Sequence, residues 1–189
     1  MNLRSRSWRR SALAPAALAA GVAAITGLQA LPAEPAAAMD LTRYLGRWYV
    51  IARSPPADPH QRGAYFEYRP RADGDIDDIY FTREGSFDGA PVTVEHTARA
   101  DPARPAKWRI RTGWLSTDEQ WVLYVSPDYR YAIAASPGGG SGWILAREPV
   151  IPEWSYAGLL ARFAMQGYDV SRVRRVPQIP EQMGRPGFE

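Results

Sequence analysis

Tyr44-Leu45-Gly46-Arg47-Trp48-Tyr49-Val50-Ile51-Ala52-Arg53 is the stretch on which the fold turns. A glycine is followed two residues on by a tryptophan and then by an alternating apolar run, the pattern of a first strand entering a barrel. Downstream, short apolar or alternating runs recur at spacings of about ten residues, punctuated by Pro, Gly and Asp. They are Leu45–Arg53, Ala64–Arg69, Ile76–Thr82, Pro91–Ala100, Ala106–Thr112, Gln120–Val125, Tyr129–Ala135 and Gly142–Arg147. Hairpin turns are expected at Ala72-Asp73-Gly74, Asp88-Gly89, Ser126-Pro127-Asp128 and Pro137-Gly138-Gly139-Gly140. Strands joined by such short links pair antiparallel, so the spacing predicts an all-β domain, an eight-stranded antiparallel up-and-down β-barrel with room for one small ligand.

The first connection, Ser54 to Arg62, holds three prolines and is longer than an ordinary hairpin, as expected of a lid over one rim. Beyond Arg147 the period changes. Pro152 stands at a first-turn position, Glu153 follows, and Trp154, Leu159, Leu160, Phe163 and Ala164 recur at helical spacing until Gly167 offers a C-cap. This predicts one amphipathic C-terminal α-helix packed outside the barrel. A short last strand over Arg172–Val176 is expected to pair near the first. The Pro/Gly-rich end gives the expectation of a barrel domain over 39–178 and a loose tail over 179–189.

Residues 1–38 have the three-part layout of a secretory signal: Arg4, Arg6, Arg9 and Arg10, then an Ala/Leu/Val/Ile run from Ser11 to Leu31, then Ala36-Ala37-Ala38. A membrane span is the alternative, but Pro15, Gly21, Gly27 and many alanines make the run weakly apolar. The leader holds four of the 23 Lys+Arg and one of the 20 Asp+Glu, which leaves 19 of each and no net charge. The basic balance therefore belongs to the leader, and nothing asks for nucleic acid. The chain has no cysteine, which excludes disulfides, thiolate metal sites, a Cys nucleophile and lipidation at an N-terminal Cys. Six of the seven Trp and all ten Tyr lie beyond the leader, a heavy aromatic load that wants an explanation.

Alternation sorts the faces. In Lys107-Trp108-Arg109-Ile110-Arg111 the cations must face water, so Trp108 and Ile110 face in. Gln120, Val122 and Tyr124 share one face of the next strand and Trp121, Leu123 and Val125 the other, with one face for the helix and one for the cup. Trp143, Leu145 and Arg147 share a face, and an inward arginine is costly unless paired or stacked. Arg147 over the indole of Trp48 would be a cation–π contact of about 2 kcal/mol. Inward aromatics can serve as solid core or as ligand contacts; a barrel of eight strands encloses more volume than its own inward side chains need.

Gly46-Arg47-Trp48-Tyr49, then Pro127-Asp128-Tyr129-Arg130-Tyr131-Ala132, then Trp143-Ile144-Leu145-Ala146-Arg147-Glu148-Pro149 resemble, in order, the three sequence signatures of the lipocalins. The run Arg43–Arg53, the Trp143–Pro149 segment and Gly167-Tyr168-Asp169-Val170-Ser171 are similar especially to the bacterial outer-membrane lipocalins, relatives of apolipoprotein D and of the plant stress-induced lipocalins. The resemblance spans Asp40 to about Gln178, and it implies a barrel with a closed base and an open mouth. The implied function is non-enzymatic binding, storage or transport of fatty acids, lysophospholipids or similar apolar molecules in the cell envelope. It also implies that Gly46, Trp48, Asp128, Tyr129 and Arg147 form a structural base, while Phe66, Tyr68, Trp108, Ile110, Gln120, Val122, Tyr131, Ile133, Trp143 and Leu145 bind the ligand. The bacterial relatives typically carry an acylated N-terminal cysteine. This chain has none, so a periplasmic or secreted carrier, associated with the outer membrane only without a lipid anchor, is expected.

An acyl chain in such a cup gains about 0.8 kcal/mol per methylene removed from water, and a head group would stay near the mouth, where Arg62 could meet it or simply be solvated. An enzyme is the competing class. His60 and His96 are far apart in sequence, and no nucleophile elbow, metal-spaced set or phosphate loop is present. Asp73, Asp75, Asp77 and Asp78 lack the distal Glu of a calcium loop and read as a solvated turn. No catalytic residue, metal or cofactor is therefore assigned. A haem- or pigment-binding barrel would rest on an inward His96, an envelope enzyme of the same fold is the other alternative, and an adaptor would need an exposed apolar patch at the mouth. The partners expected are a small apolar ligand and a transient membrane contact.

Overall fold

The computed structural model describes residues 33–54, 59–138 and 140–189. Residues 1–32 of the expected leader, Pro55 to Asp58 of the expected lid and Gly139 of the last hairpin lie outside the described residues. A short helix α1 (Leu41–Tyr44) precedes eight strands: β1 (Gly46–Arg53), β2 (Gln61–Pro70), β3 (Ile76–Glu84), β4 (Pro91–Asp101), β5 (Arg104–Arg111), β6 (Thr117–Val125), β7 (Tyr131–Ala135) and β8 (Gly142–Ala146). Helix α2 (Glu153–Met165) and strand β9 (Arg174–Arg175) follow. Each strand pairs antiparallel with the next, β8 returns to β1, and β1 also pairs β2 from Gly46↔Tyr68 to Tyr49↔Tyr65, which closes the barrel. Above Tyr49 the first two strands part, and β1 takes β9 as its partner through Ala52↔Arg175 and Arg53↔Arg174.

The base is where this closure is secured. Trp48 is fully buried, donates its indole N–H to the Tyr44 carbonyl at 2.7 Å and carries the Arg147 guanidinium 3.8 Å above its ring. The same guanidinium donates to the carbonyls of Arg47 at 2.6 Å, Arg43 at 2.8 Å, Leu45 at 2.9 Å and Tyr44 at 3.1 Å. Gly46 sits among these carbonyls at φ +93°, which disfavours any L side chain, and a Cβ there would stand 3.5 Å from Arg147 Nη1. Asp40 caps α1 by accepting from the N–H groups of Thr42 and Arg43, and its own N–H donates to the Tyr129 hydroxyl at 2.7 Å. Tyr129 itself turns the chain at φ 59°, so β7 begins at Tyr131 rather than at Tyr129. Helix α1 is a single turn and so has no period in the sequence; its one signal there is Asp40.

Two cores result. Inside the barrel, Trp48, Val50, Phe66, Tyr68, Trp108, Val122 and Leu145 pack together. Outside, Leu159 and Phe163 of α2 cover Ile51, Leu123, Ile133 and Ile144, as an amphipathic helix must. The expected loose tail is instead docked. Where β1 and β2 part, their carbonyls need donors, and Gln178 supplies them to Val50 at 2.7 Å and Ala64 at 3.1 Å. Further on, Phe188 stacks under Arg175 at 4.2 Å, and Glu189 reaches Arg53 at 2.5 Å. Upstream, Ala36 donates its N–H to the Val122 carbonyl at 2.8 Å.

Trp48→Ala is expected to cost about 3–5 kcal/mol, the loss typical of emptying a buried aromatic site. Arg147→Met should cost about 3 kcal/mol, because carbonyls lose their donor while bulk is kept. Denaturant unfolding measures both, and a change below about 1 kcal/mol in either would remove the base from its closing role.

Candidate functional site

Because adjacent strands run up and down, the links after β1, β3, β5 and β7 gather at the end opposite Trp48. There the barrel opens into a cavity of about 340 Å³, whose wall includes Arg53, Phe66, Asp78, Tyr80, Val94, His96, Ile110, Gln120 and Trp143. Its aromatic side is continuous: Phe66 lies 4.9 Å from Tyr80 and 5.7 Å from both Trp143 and Tyr68, ring centre to ring centre. Below it the barrel is filled. Tyr68 meets Trp108 edge-on at 4.8 Å, and Tyr44 touches Trp48, Tyr68 and Trp108 at 5.0, 5.8 and 5.6 Å.

Of the residues assigned to the ligand, Phe66, Ile110, Gln120 and Trp143 line this cavity. Tyr68, Trp108, Val122 and Leu145 belong to the packed layer beneath it; the Trp108 indole donates to the Pro105 carbonyl at 2.8 Å. Tyr131 and Ile133 require correction, because they face outward. Cross-strand partners share a face, and β7 sets Ala132 opposite Leu145 and Ala134 opposite Trp143. The inner positions of β7 are thus alanines, small enough to lie against the large β8 side chains. Ile133 packs with α2, and the Ser155 hydroxyl lies 3.4 Å from that of Tyr131. On β6 a bulge between Val122 and Tyr124 shifts the register, so Gln120, Val122 and Val125 face in while Tyr124 turns out beneath Arg162.

Strands β3 and β4 supply the wall residues that alternation left unassigned. Asp78 is among the four aspartates read as a solvated turn. Asp73 and Asp77 do bind Arg71 at the surface, at 3.4 and 2.8 Å, and Asp75 binds Arg99 at 2.5 Å. Asp78 instead points inward between Tyr68 and His96, its partners in the ladder, and is 4% exposed. Its Oδ1 has no hydrogen-bond partner, and burial pushes the carboxyl from 3.8 up to about 7. The sequence signal was parity: Asp78 and Tyr80 must share a face. Arg62 is neither solvated nor at the cavity; it is buried, donating to the carbonyls of Pro59 and Gln61 at 2.8 Å. The arginine on the cavity wall is Arg53, held by Gln61 and Glu189. On the rim, Trp114 and Leu115 project 96% and 93% exposed from the β5–β6 link.

A second hollow of about 270 Å³ lies over β4 to β6, among Arg99, Asp101, Arg104, Lys107 and Arg109, with Ala100 and Trp108 also in its lining. Among the described residues no group of three or more His, Asp and Glu is gathered to hold a metal.

Residues 39–178 match the family described as Lipocalin-like domain. Temperature-induced lipocalin-1 of Arabidopsis thaliana is 31% identical over 151 residues, covering 74% of this chain and 80% of that one. Among solved structures, insecticyanin from the tobacco hornworm Manduca sexta superposes with a TM-score of 0.59 at 19% identity, over 80% of this chain and 87% of that one. Lobster apocrustacyanin A1 gives 0.57 at 16% identity, over 74% and 80%. At these identities the two structures bear on the fold, and both carry it.

The buried carboxyl yields a pH dependence of stability. In the unfolded chain Asp78 releases its proton near the ordinary 3.8, whereas the native state holds it to about 7. Between those values the native state binds the extra proton, so stability declines as pH rises through the window and levels off above it. Asp78→Asn is expected to match wild type at about pH 4 and to melt about 4 °C or more higher at pH 8. Calorimetry decides this, and a variant less stable than wild type at pH 8 would contradict it.

Proposed function

The chain belongs to the lipocalin-like family, generally non-enzymatic binders of small hydrophobic molecules, and from that premise we propose that its cavity binds and carries a single-chain lipid or a comparable apolar molecule. The observation that carries this reading is the wall of Phe66, Tyr80, Ile110 and Trp143 around a blind cavity of about 340 Å³. That volume lies near the lower end of the range of about 300–1,000 Å³ typical of ligand sites, which favours one acyl chain over two. Fatty acids and lysophospholipids are the chemical classes of that shape. Ten buried methylenes would contribute ~8 kcal/mol before association costs, so micromolar affinity with broad selectivity is expected.

The Arg-rich start and the Ala/Leu run of residues 1–38 support export to the periplasm or beyond, and the absence of cysteine argues against a lipid anchor. Trp114 and Leu115, exposed beside the cavity mouth, support a transient contact with a lipid surface from which a ligand could pass into the barrel.

A fluorescent fatty acid is expected to bind the protein without its leader at micromolar concentration, and Trp143→Asp should weaken binding about tenfold or more by placing a charge in the wall. Unchanged affinity in that variant would exclude the cavity as the site. The pair Trp114→Ser and Leu115→Ser should reduce sedimentation with phospholipid vesicles while leaving binding of the soluble probe intact; equal sedimentation would exclude the rim contact.

A further inference from the structure

An apolar cup gains nothing from an unpaired carboxylate in its wall, yet Asp78 stands there with 4% exposure and one oxygen without a partner. Desolvating such a group is costly unless something compensates it. The surroundings do not. Tyr68 on β2 and His96 on β4 flank it in the ladder, and the Tyr44 hydroxyl, which also has no hydrogen-bond partner, approaches from α1 at the base. Across the cavity stand Gln120 of β6, Asp118 of the same strand exposed at the mouth, and Arg53 of β1. Arg53 is the permanent cation among the described residues of the wall, and it is paired with Glu189 at 2.5 Å. The cavity therefore offers acceptors and negative charge beside an aromatic wall in which Phe66 lies 4.9 Å from Tyr80 and 5.7 Å from Trp143. Aromatic faces next to a carboxylate are the surroundings that favour an ammonium over water.

We propose that this inner wall is a site for the primary ammonium end of a single-chain amphiphile, which enters polar end first, donates hydrogen bonds to Asp78 and lies against the faces of Phe66, Tyr80 and Trp143. This rests on the reading of the barrel as the ligand cavity and narrows it: long-chain amines and amino-alcohols are preferred, while a fatty acid binds chain first and more weakly, its carboxylate kept at the mouth away from Asp78. The orientation reverses that of a ligand whose head group remains at the mouth. Burial makes Asp78 a weaker acid than an ordinary aspartate, as expected of a group without its cation, because a bound ammonium would return it to the ionised form.

Competitive displacement of a neutral naphthylamine probe at pH 8 compares dodecylamine, 1-dodecanol and dodecanoate, which share a chain and differ in the end group. Wild type is expected to bind the amine about tenfold or more tighter than the carboxylate, with the alcohol between. In Asp78→Asn the amine and the alcohol should fall within about threefold of each other. An amine no tighter than the carboxylate in wild type, or an amine preference that survives in Asp78→Asn, overturns the inference. Binding of the alcohol without any amine preference overturns it and leaves the cavity reading standing, whereas failure of the probe and all three compounds to bind overturns both.

Discussion

The guanidinium of Arg147, seated 3.8 Å over the Trp48 ring and donating into a cluster of backbone carbonyls, is the contact through which the barrel closes. The last residues of α1, the link at Leu45 and the start of β1 turn their carbonyls toward one point, where they need donors. A planar fork with five N–H groups can serve several of them at once, and an indole face offsets part of the charge that is taken from water. Gly46 permits this because the chain turns here at φ +93°, a conformation that L side chains rarely adopt. Lysine, with one compact charge, could not span the same set.

Everything above that contact inherits its geometry. With the base plugged by Tyr44, Trp48, Tyr68 and Trp108, the barrel is solid below and hollow above, so the cavity is blind and shallow. The aromatic load therefore divides into two uses: one layer packs ring on ring and keeps the shape, and a second, formed by Phe66, Tyr80 and Trp143, borders the hollow. The outer face is kept apart by α2, whose Leu159 and Phe163 cover β6 to β8 and β1 without contributing to the cavity. The C-terminal segment belongs to the same mechanics, since Gln178 supplies the hydrogen bonds that β1 and β2 lose when they separate.

How far the site could be read from the residues depends on whether local parity holds. Trp108 and Ile110 lie between cations, and water decides their direction without reference to any other strand. Tyr131 and Ile133 have no such neighbours to settle the matter; the alanines opposite Trp143 and Leu145 do, and that opposition exists only once the register is known. Tyr124 departs from alternation because the bulge between Val122 and Tyr124 reverses parity, and nothing in Trp121-Val122-Leu123-Tyr124 marks it. Asp78 is hidden by company: three neighbouring aspartates pair with Arg71 and Arg99, and composition alone suggests the same for the fourth.

The number of strands, their antiparallel order, the outer helix and the Trp48–Arg147 base follow from period, turn chemistry and the cost of an unpaired inward arginine, all of which act over a few residues or between two of them. The depth of the cavity, the face of β7 and the isolation of Asp78 are properties of closure. They depend on which side chains from distant strands meet across the interior and on where the register slips, and those are settled only when the whole sheet has curled and the volume inside it has been shared out.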